Sequence, residues 1–222
     1  MKIPQDILQK EPEQVRELFV HWDGIMESDV EFWPLPGDFD VHTQGHCERV
    51  LLLALKIGAM RHLSVRLMTA LCHAGIFHDS RRKDNYMDTG HGDRAAEYYK
   101  DYCSKGNIEF MPEAYSAIKF HDRDDRLGEE FIRTEAPKYA GKESDAAQAV
   151  NDWTEVYHDF KDADALDRLR LGPWALDPKF LRCPEAKGLM DFAQNLVNVT
   201  IDPAELKKVM DATRPFAKKF SN

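Results

Sequence analysis

Three His-Asp dyads stand in this chain: His78-Asp79, His121-Asp122 and His158-Asp159. An imidazole beside a carboxylate at the end of an apolar run suits a first-row transition ion, since nitrogen and oxygen donors together favour Mn, Fe, Co, Ni or Zn. One dyad alone is weak evidence in a chain that has three. The pattern gains weight when His46 upstream and His91, His121 and Asp164 downstream are added, each at the edge or on the apolar face of its own expected helix. His46, His78, Asp79 and Asp164 would hold one ion. Asp79 has two oxygens, so it could bridge to a second ion held by His91 and His121. Two ions about 3.5–4 Å apart serve displacement at phosphorus: one activates water and both stabilise the transition-state oxygens. There is no Cys-x-x-Cys pair of the structural-zinc kind.

These residues need helices to bring them together, and apolar periodicity supplies them. An amphipathic helix is expected over 13–26 within an otherwise irregular lead-in, followed by an aromatic, Pro-rich loop from Phe32 to Gly37. A helix over 45–60 is apolar nearly all round, which marks a central element. At about 100° per residue His46 shares a stripe with Val50, Leu53 and Ile57, and Arg49 lies at its edge. Ser64 is a natural N-cap for a helix over 64–78, which carries Leu67, Leu71, Ala74 and His78 on one face. His73 falls on the other side and reads as structural or exposed. The loop over 80–92 is polar. Its Arg81, Arg82 and Lys83 read either as a solvated patch or as a phosphate grip, since guanidinium groups bind phosphate oxygens bidentately. His91 lies between two glycines, which permit close backbone approach. Helices follow over 93–103 and 112–121, the second ending on His121. Residues 122–145 read as a charged surface excursion, with a lid as the alternative. A helix over 146–170 places Trp153, Val156, Phe160, Ala163, Asp164 and Asp167 on one face and turns Asp162 away. Two acids in an apolar stripe are costly unless paired or bound to a cation. His158 is off that stripe. Packing helices over 184–199 and 202–220 complete the chain.

The chain has 222 residues, 43% of them hydrophobic, enough for one domain with a substantial core. Lys+Arg 30 against Asp+Glu 39 leaves a net charge of −9, which argues against binding to duplex nucleic acid or an anionic membrane. Cys47, Cys72, Cys103 and Cys183 are widely spaced and read as buried free thiols of a reducing compartment. No stretch approaches the ~20 apolar residues of a transmembrane helix, and no secretory h-region opens the chain. A cytoplasmic location is the expectation.

His46-Cys-Glu-Arg49-Val50, Phe77-His78-Asp79-Ser-Arg-Arg, Gly90-His91-Gly92, Phe120-His121-Asp122 and Asp162-Ala-Asp164-Ala-Leu-Asp167 together resemble the ordered motifs of the HD-domain metal-dependent phosphohydrolase superfamily. The resemblance spans residues 42–172. It implies an all-α helical bundle, with 1–41 and 173–222 as accessory parts of a single domain. It further implies one or two divalent transition ions (Mg also admissible) and hydrolysis of a phosphomonoester or phosphodiester of a small molecule, a nucleotide foremost, by a metal-activated water. His46, His78, Asp79 and Asp164 match the defining ligands, and His91 and His121 the extra histidines of the two-metal branch. Asp79 takes the catalytic position between the ions. Arg49, Arg81, Arg82 and Lys83 are the phosphate-binding candidates, and Asp122 and Asp167 the supports behind the ligands. The lysine usual shortly after the His-Asp pair is represented only by Arg81, Arg82 and Lys83. The Gly-Tyr-Pro motif of the cyclic-dinucleotide branch is absent, which argues against that activity. The same ligand set also resembles mixed-valent di-iron oxygenases, and a metal-bearing nucleotide sensor without turnover is a third reading.

Overall fold

The computed structural model describes residues 3–36, 43–85 and 88–216. Among them are eleven α-helices and no strand: α1 (Gln5–Leu8), α2 (Glu13–Asp29), α3 (Gln44–Met60), α4 (Val65–Phe77), α5 (His91–Ser104), α6 (Pro112–Phe120), α7 (Asp125–Glu135), α8 (Ala146–Asp167), α9 (Pro184–Lys187), α10 (Met190–Thr200) and α11 (Pro203–Thr213). The all-α expectation is met. Among the described residues no helix is long and apolar enough to cross a membrane. Gly37, Tyr86 and Met87, and the end of the helix expected to reach 220, lie outside the described residues.

Helix α3 is the hub, packed against α4, α8 and α2. Val50 to Leu55 and Ile57 are all fully enclosed, as a helix apolar on every side requires. The chain leaves α3 with Leu63 N–H donating to Gly58 O (2.9 Å) and His62 left-handed at φ 57°. It enters α4 with Ser64 Oγ accepting from Leu67 N–H. This tight connection makes α3 and α4 antiparallel, so the start of α3 lies beside the end of α4. Gly75 marks their crossing: a Cβ there would stand 3.2 Å from the Leu51 Cα. Helices α5 and α6 form a second pair, and α6 packs on both α4 and α8. His46, His78, His91, His121 and Asp164 therefore all come from helix ends gathered at one end of the bundle.

Several expectations need correction. The lead-in is not largely irregular: α2 runs 17 residues, buries Val15, Phe19, Trp22 and Met26, and joins the core against α3 and α4. Residues 122–145 are not a plain surface loop. They contain α7, which packs on α6 and α8 through Gly128, Ile132 and Ala136 at four-residue spacing. Its few apolar residues sit among many charges, so the periodicity is easily missed. Asp162, off the stripe of Phe160 and Asp164, is not left to solvent. It is fully buried and accepts the backbone N–H groups of Arg182 and Cys183, both at 2.8 Å, because the 180s segment wraps over the back of α8. The helix expected over 184–199 is broken between Lys187 and Met190. His73 takes the structural role, buried between Trp22 and Tyr99 with Nδ1 2.7 Å from the Tyr99 hydroxyl.

Helix α8 also buries Asp159 completely. Arg61 Nε lies 2.9 Å from its carboxylate, yet the N–H is not directed at it and neither atom completes a hydrogen bond. Burial outweighs the arginine and raises this carboxyl to about 7. Its folded pKa thus exceeds its unfolded value, so its destabilising effect is small below about pH 4 and grows as pH rises toward 7. Wild type should lose more melting temperature than Asp159→Asn between pH 5 and pH 8, by the equivalent of a few kcal/mol. Parallel melting curves across that range would refute this.

Candidate metal centre

Each of the four converging histidines spends Nδ1 on an acceptor and turns Nε2 inward. His46 Nδ1 meets Asp167 Oδ2 at 2.7 Å. His78 Nδ1 meets the Gly75 carbonyl at 3.0 Å, His91 Nδ1 the Asp88 carbonyl at 2.7 Å, and His121 Nδ1 the Ile118 carbonyl at 2.7 Å. An Nδ1–H donor fixes the tautomer that leaves Nε2 as a lone pair, the usual condition of a ligating histidine. Three of these acceptors are carbonyls three residues upstream, freed where a helical turn begins or ends.

The Nε2 atoms form two pairs. His46 and His78 face each other at 3.2 Å, and His91 and His121 at 2.7 Å. Two unprotonated nitrogens so placed repel unless a cation or proton lies between them. Asp79 divides its carboxylate between the pairs: Oδ2 is 3.5 Å from His46 Nε2, while Oδ1 is 3.0 Å from His91 Nε2 and 3.5 Å from His121 Nε2. Asp164 Oδ1 adds to the first group, 3.2 Å from His46 Nε2 and 4.0 Å from His78 Nε2. Metal–ligand bonds of about 2.1 Å place adjacent donors about 3.0–3.4 Å apart in octahedral or tetrahedral sites. Both groups, His46/His78/Asp79 and Asp79/His91/His121, have donor atoms close enough together to hold an ion.

The electrostatics agree. Burial, chiefly, lowers His78 to about 3, so this imidazole is neutral, as ligation demands. Burial works to raise Asp164, but the ring of His46 beside it, with those of His78 and His121, holds it well below the usual carboxylate range. For His121 burial is again the largest influence, and the bond and charge of Asp79 override it and raise the ring. That anionic pull is what a bound cation would use. The residues present therefore fit one or two transition ions.

Behind the ligands, Asp167 accepts from Arg49 Nε and Nη2 at 2.6 and 3.0 Å, and Arg170 Nη1 lies 3.3 Å from the same carboxylate. Asp122 Oδ2 accepts the Gly90 N–H at 2.6 Å and stands 3.5 Å from His91 Nδ1, placing it behind that ring. Two phosphate candidates are redirected, Arg49 and Arg81. Arg49 is buried and forked onto Asp167. Arg81 lies 3.3 Å from the centre of the Tyr98 ring and donates to the carbonyls of Glu31 and Ser80. Lys83 has an exposed side chain, and its backbone N–H donates to Asp88 Oδ2. Of that set, Arg82 alone is described at the ligands, with Nη1 3.2 Å from His91 Nε2 and 3.5 Å from Asp79 Oδ1. Two residues escaped the sequence reading. Arg170, almost wholly buried, donates to the Asp167 carbonyl at 2.9 Å. Arg168 is half-buried within the field of Asp164. Its position one helical turn beyond Asp164 was the available signal.

Gly92 sets the spacing between α5 and α6. A Cβ there would come 2.8 Å from the carbonyl oxygens of Ile118 and Lys119 and 2.9 Å from Asp122 Oδ1. Only glycine lets α5 lie this close to α6 and bring His91 against His121. Gly92→Ala should cost about 1–3 kcal/mol, lowering the melting temperature by several degrees. An unchanged melt would show that α5 shifts freely.

Searches against family models, curated proteins and solved structures found no match to this chain.

Proposed function

We propose that this chain is a metal-dependent phosphohydrolase of the HD type, acting on a small phosphorylated molecule, with nucleotides as the foremost class. One observation carries the reading: four histidine Nε2 atoms and a divided Asp79 carboxylate converge at the end of a helical bundle. His46, His78, Asp79 and Asp164 would hold one ion, and His91 and His121 face the other oxygen of Asp79. Bound there, such an ion acts as a Lewis acid toward phosphoryl oxygens and lowers the pKa of water to near neutrality.

The chain's own residues supply the rest. Asp79, His46 and His78 are buried, whereas the Asp164 side chain is 26% exposed, so this carboxylate lies at the approach from solvent. Asp167 fixes the His46 ring, and Asp122 together with the Asp88 carbonyl fixes His91. Arg82, at His91 and Asp79, and Arg168, half-buried within the field of Asp164, are the cations that would meet an incoming phosphate.

The test is a panel of nucleotides and simple phosphoesters with protein loaded with Mn, Fe, Co or Ni. Phosphate release under argon, abolished by chelation and restored by metal, is expected. Oxygen uptake dependent on substrate would replace this reading with an oxygenase. Tight nucleotide binding without turnover in metal-loaded protein would replace it with a sensor.

A further inference from the structure

Arg82 follows the His-Asp pair directly, and its guanidinium sits among the donors of the second group. It is 6% exposed, and its Nε donates to the Asp84 carbonyl at 3.2 Å. Its Nη1 lies 3.2 Å from His91 Nε2 and 3.5 Å from His91 Nδ1, and 3.5 Å from Asp79 Oδ1. Nη1 is almost equally far from the two ring nitrogens, so the guanidinium lies over the face of the His91 ring, beside the Nε2 position. A second ion would need His91 Nε2 and Asp79 Oδ1, and the Arg82 charge already stands within 3.5 Å of both. An arginine stays charged in proteins. A divalent ion at the same nitrogen and oxygen would face a positive charge within a few ångströms in a buried site, where screening by solvent is weak. The first group differs: Arg49 and Arg170 are turned onto Asp167, behind His46, leaving its Nε2 face to His78, Asp79 and Asp164.

We propose that Arg82 takes the place of the second cation, so that the chain binds a single ion at His46, His78, Asp79 and Asp164 and accepts another at His91 and His121 only when Arg82 is removed. This inference rests on the metal-centre reading above. It assigns Arg82 as the residue that sets metal stoichiometry.

The experiment counts manganese per chain by mass spectrometry after loading with excess Mn²⁺ and desalting. One ion is expected in wild type, two in Arg82→Ala and Arg82→Gln, and one again when His91→Ala is added to Arg82→Ala. Far-ultraviolet circular dichroism checks that each variant is folded. A readout on wild type alone covers the case in which the variants do not fold: the electron paramagnetic resonance spectrum at two equivalents of Mn²⁺ should show an isolated ion, and an exchange-coupled pair overturns the inference. Two ions in wild type, or one in both folded arginine variants, overturns it as well while leaving the metal centre standing. No ion in wild type removes the metal centre itself, and this inference with it.

Discussion

Asp79→Ala is expected to abolish metal retention and to lower phosphoester hydrolysis by about 10³-fold or more. The carboxylate faces both histidine pairs, with Oδ2 toward His46 and Oδ1 toward His91 and His121, so one substitution removes a donor from each group. A loss of several kcal/mol of transition-state stabilisation corresponds to this factor. The substitution also takes the neighbouring carboxylate from buried Arg82, so circular dichroism beside metal analysis separates loss of fold from loss of metal. Folded Asp79→Ala protein that keeps its metal and its activity would exclude the centre as the seat of chemistry.

Asp167→Ala is expected to act on stability and on metal affinity together. Arg49, Arg170 and His46 all meet this carboxylate. Taking one partner from a buried charge network costs about 3–5 kcal/mol, which for a chain of this size lowers the melting temperature by roughly 10 °C. Loss of a group that orients a ligating histidine costs a further 10–100-fold in metal affinity. Burial works to raise Asp167, but Arg49, the His46 bond and Arg170 hold it far below the usual range. Its folded pKa is therefore below its unfolded one. The stabilisation is fully present above about pH 4 and fades as pH falls through strongly acid values. The gap between wild type and Asp167→Ala should accordingly narrow on acidification, read from melts at pH 7 and pH 3. A gap that stays constant would mean the carboxylate's charge contributes nothing.

Much of the centre is legible in one dimension because the ligands sit at helix ends whose periodicity is strong. His46 on the stripe of α3, His78 at the close of α4, His121 at the close of α6 and Asp164 on the apolar face of α8 follow from spacing alone. The arginines are not legible in this way. Arg49 looks like a phosphate contact until Asp167, 118 residues away, is seen to occupy it, and Arg81 until Tyr98 is found beneath it. Asp162 shows the same limit, since only the returning 180s segment buries it. Helix α7 was hidden because its buried face is three small or single apolar residues amid charges.

The order and types of the ligands, their helical frame and the two-oxygen capacity of Asp79 belong to the sequence, because side-chain chemistry and a period of 3.6 residues are local properties. Which cation stands at which anion was decided by the tertiary structure: Arg49 at Asp167, Arg81 at Tyr98, and Arg82 at the second histidine pair. The physical reason is that a long charged side chain has several reachable partners, and only the packing of distant helices desolvates one choice and closes the others.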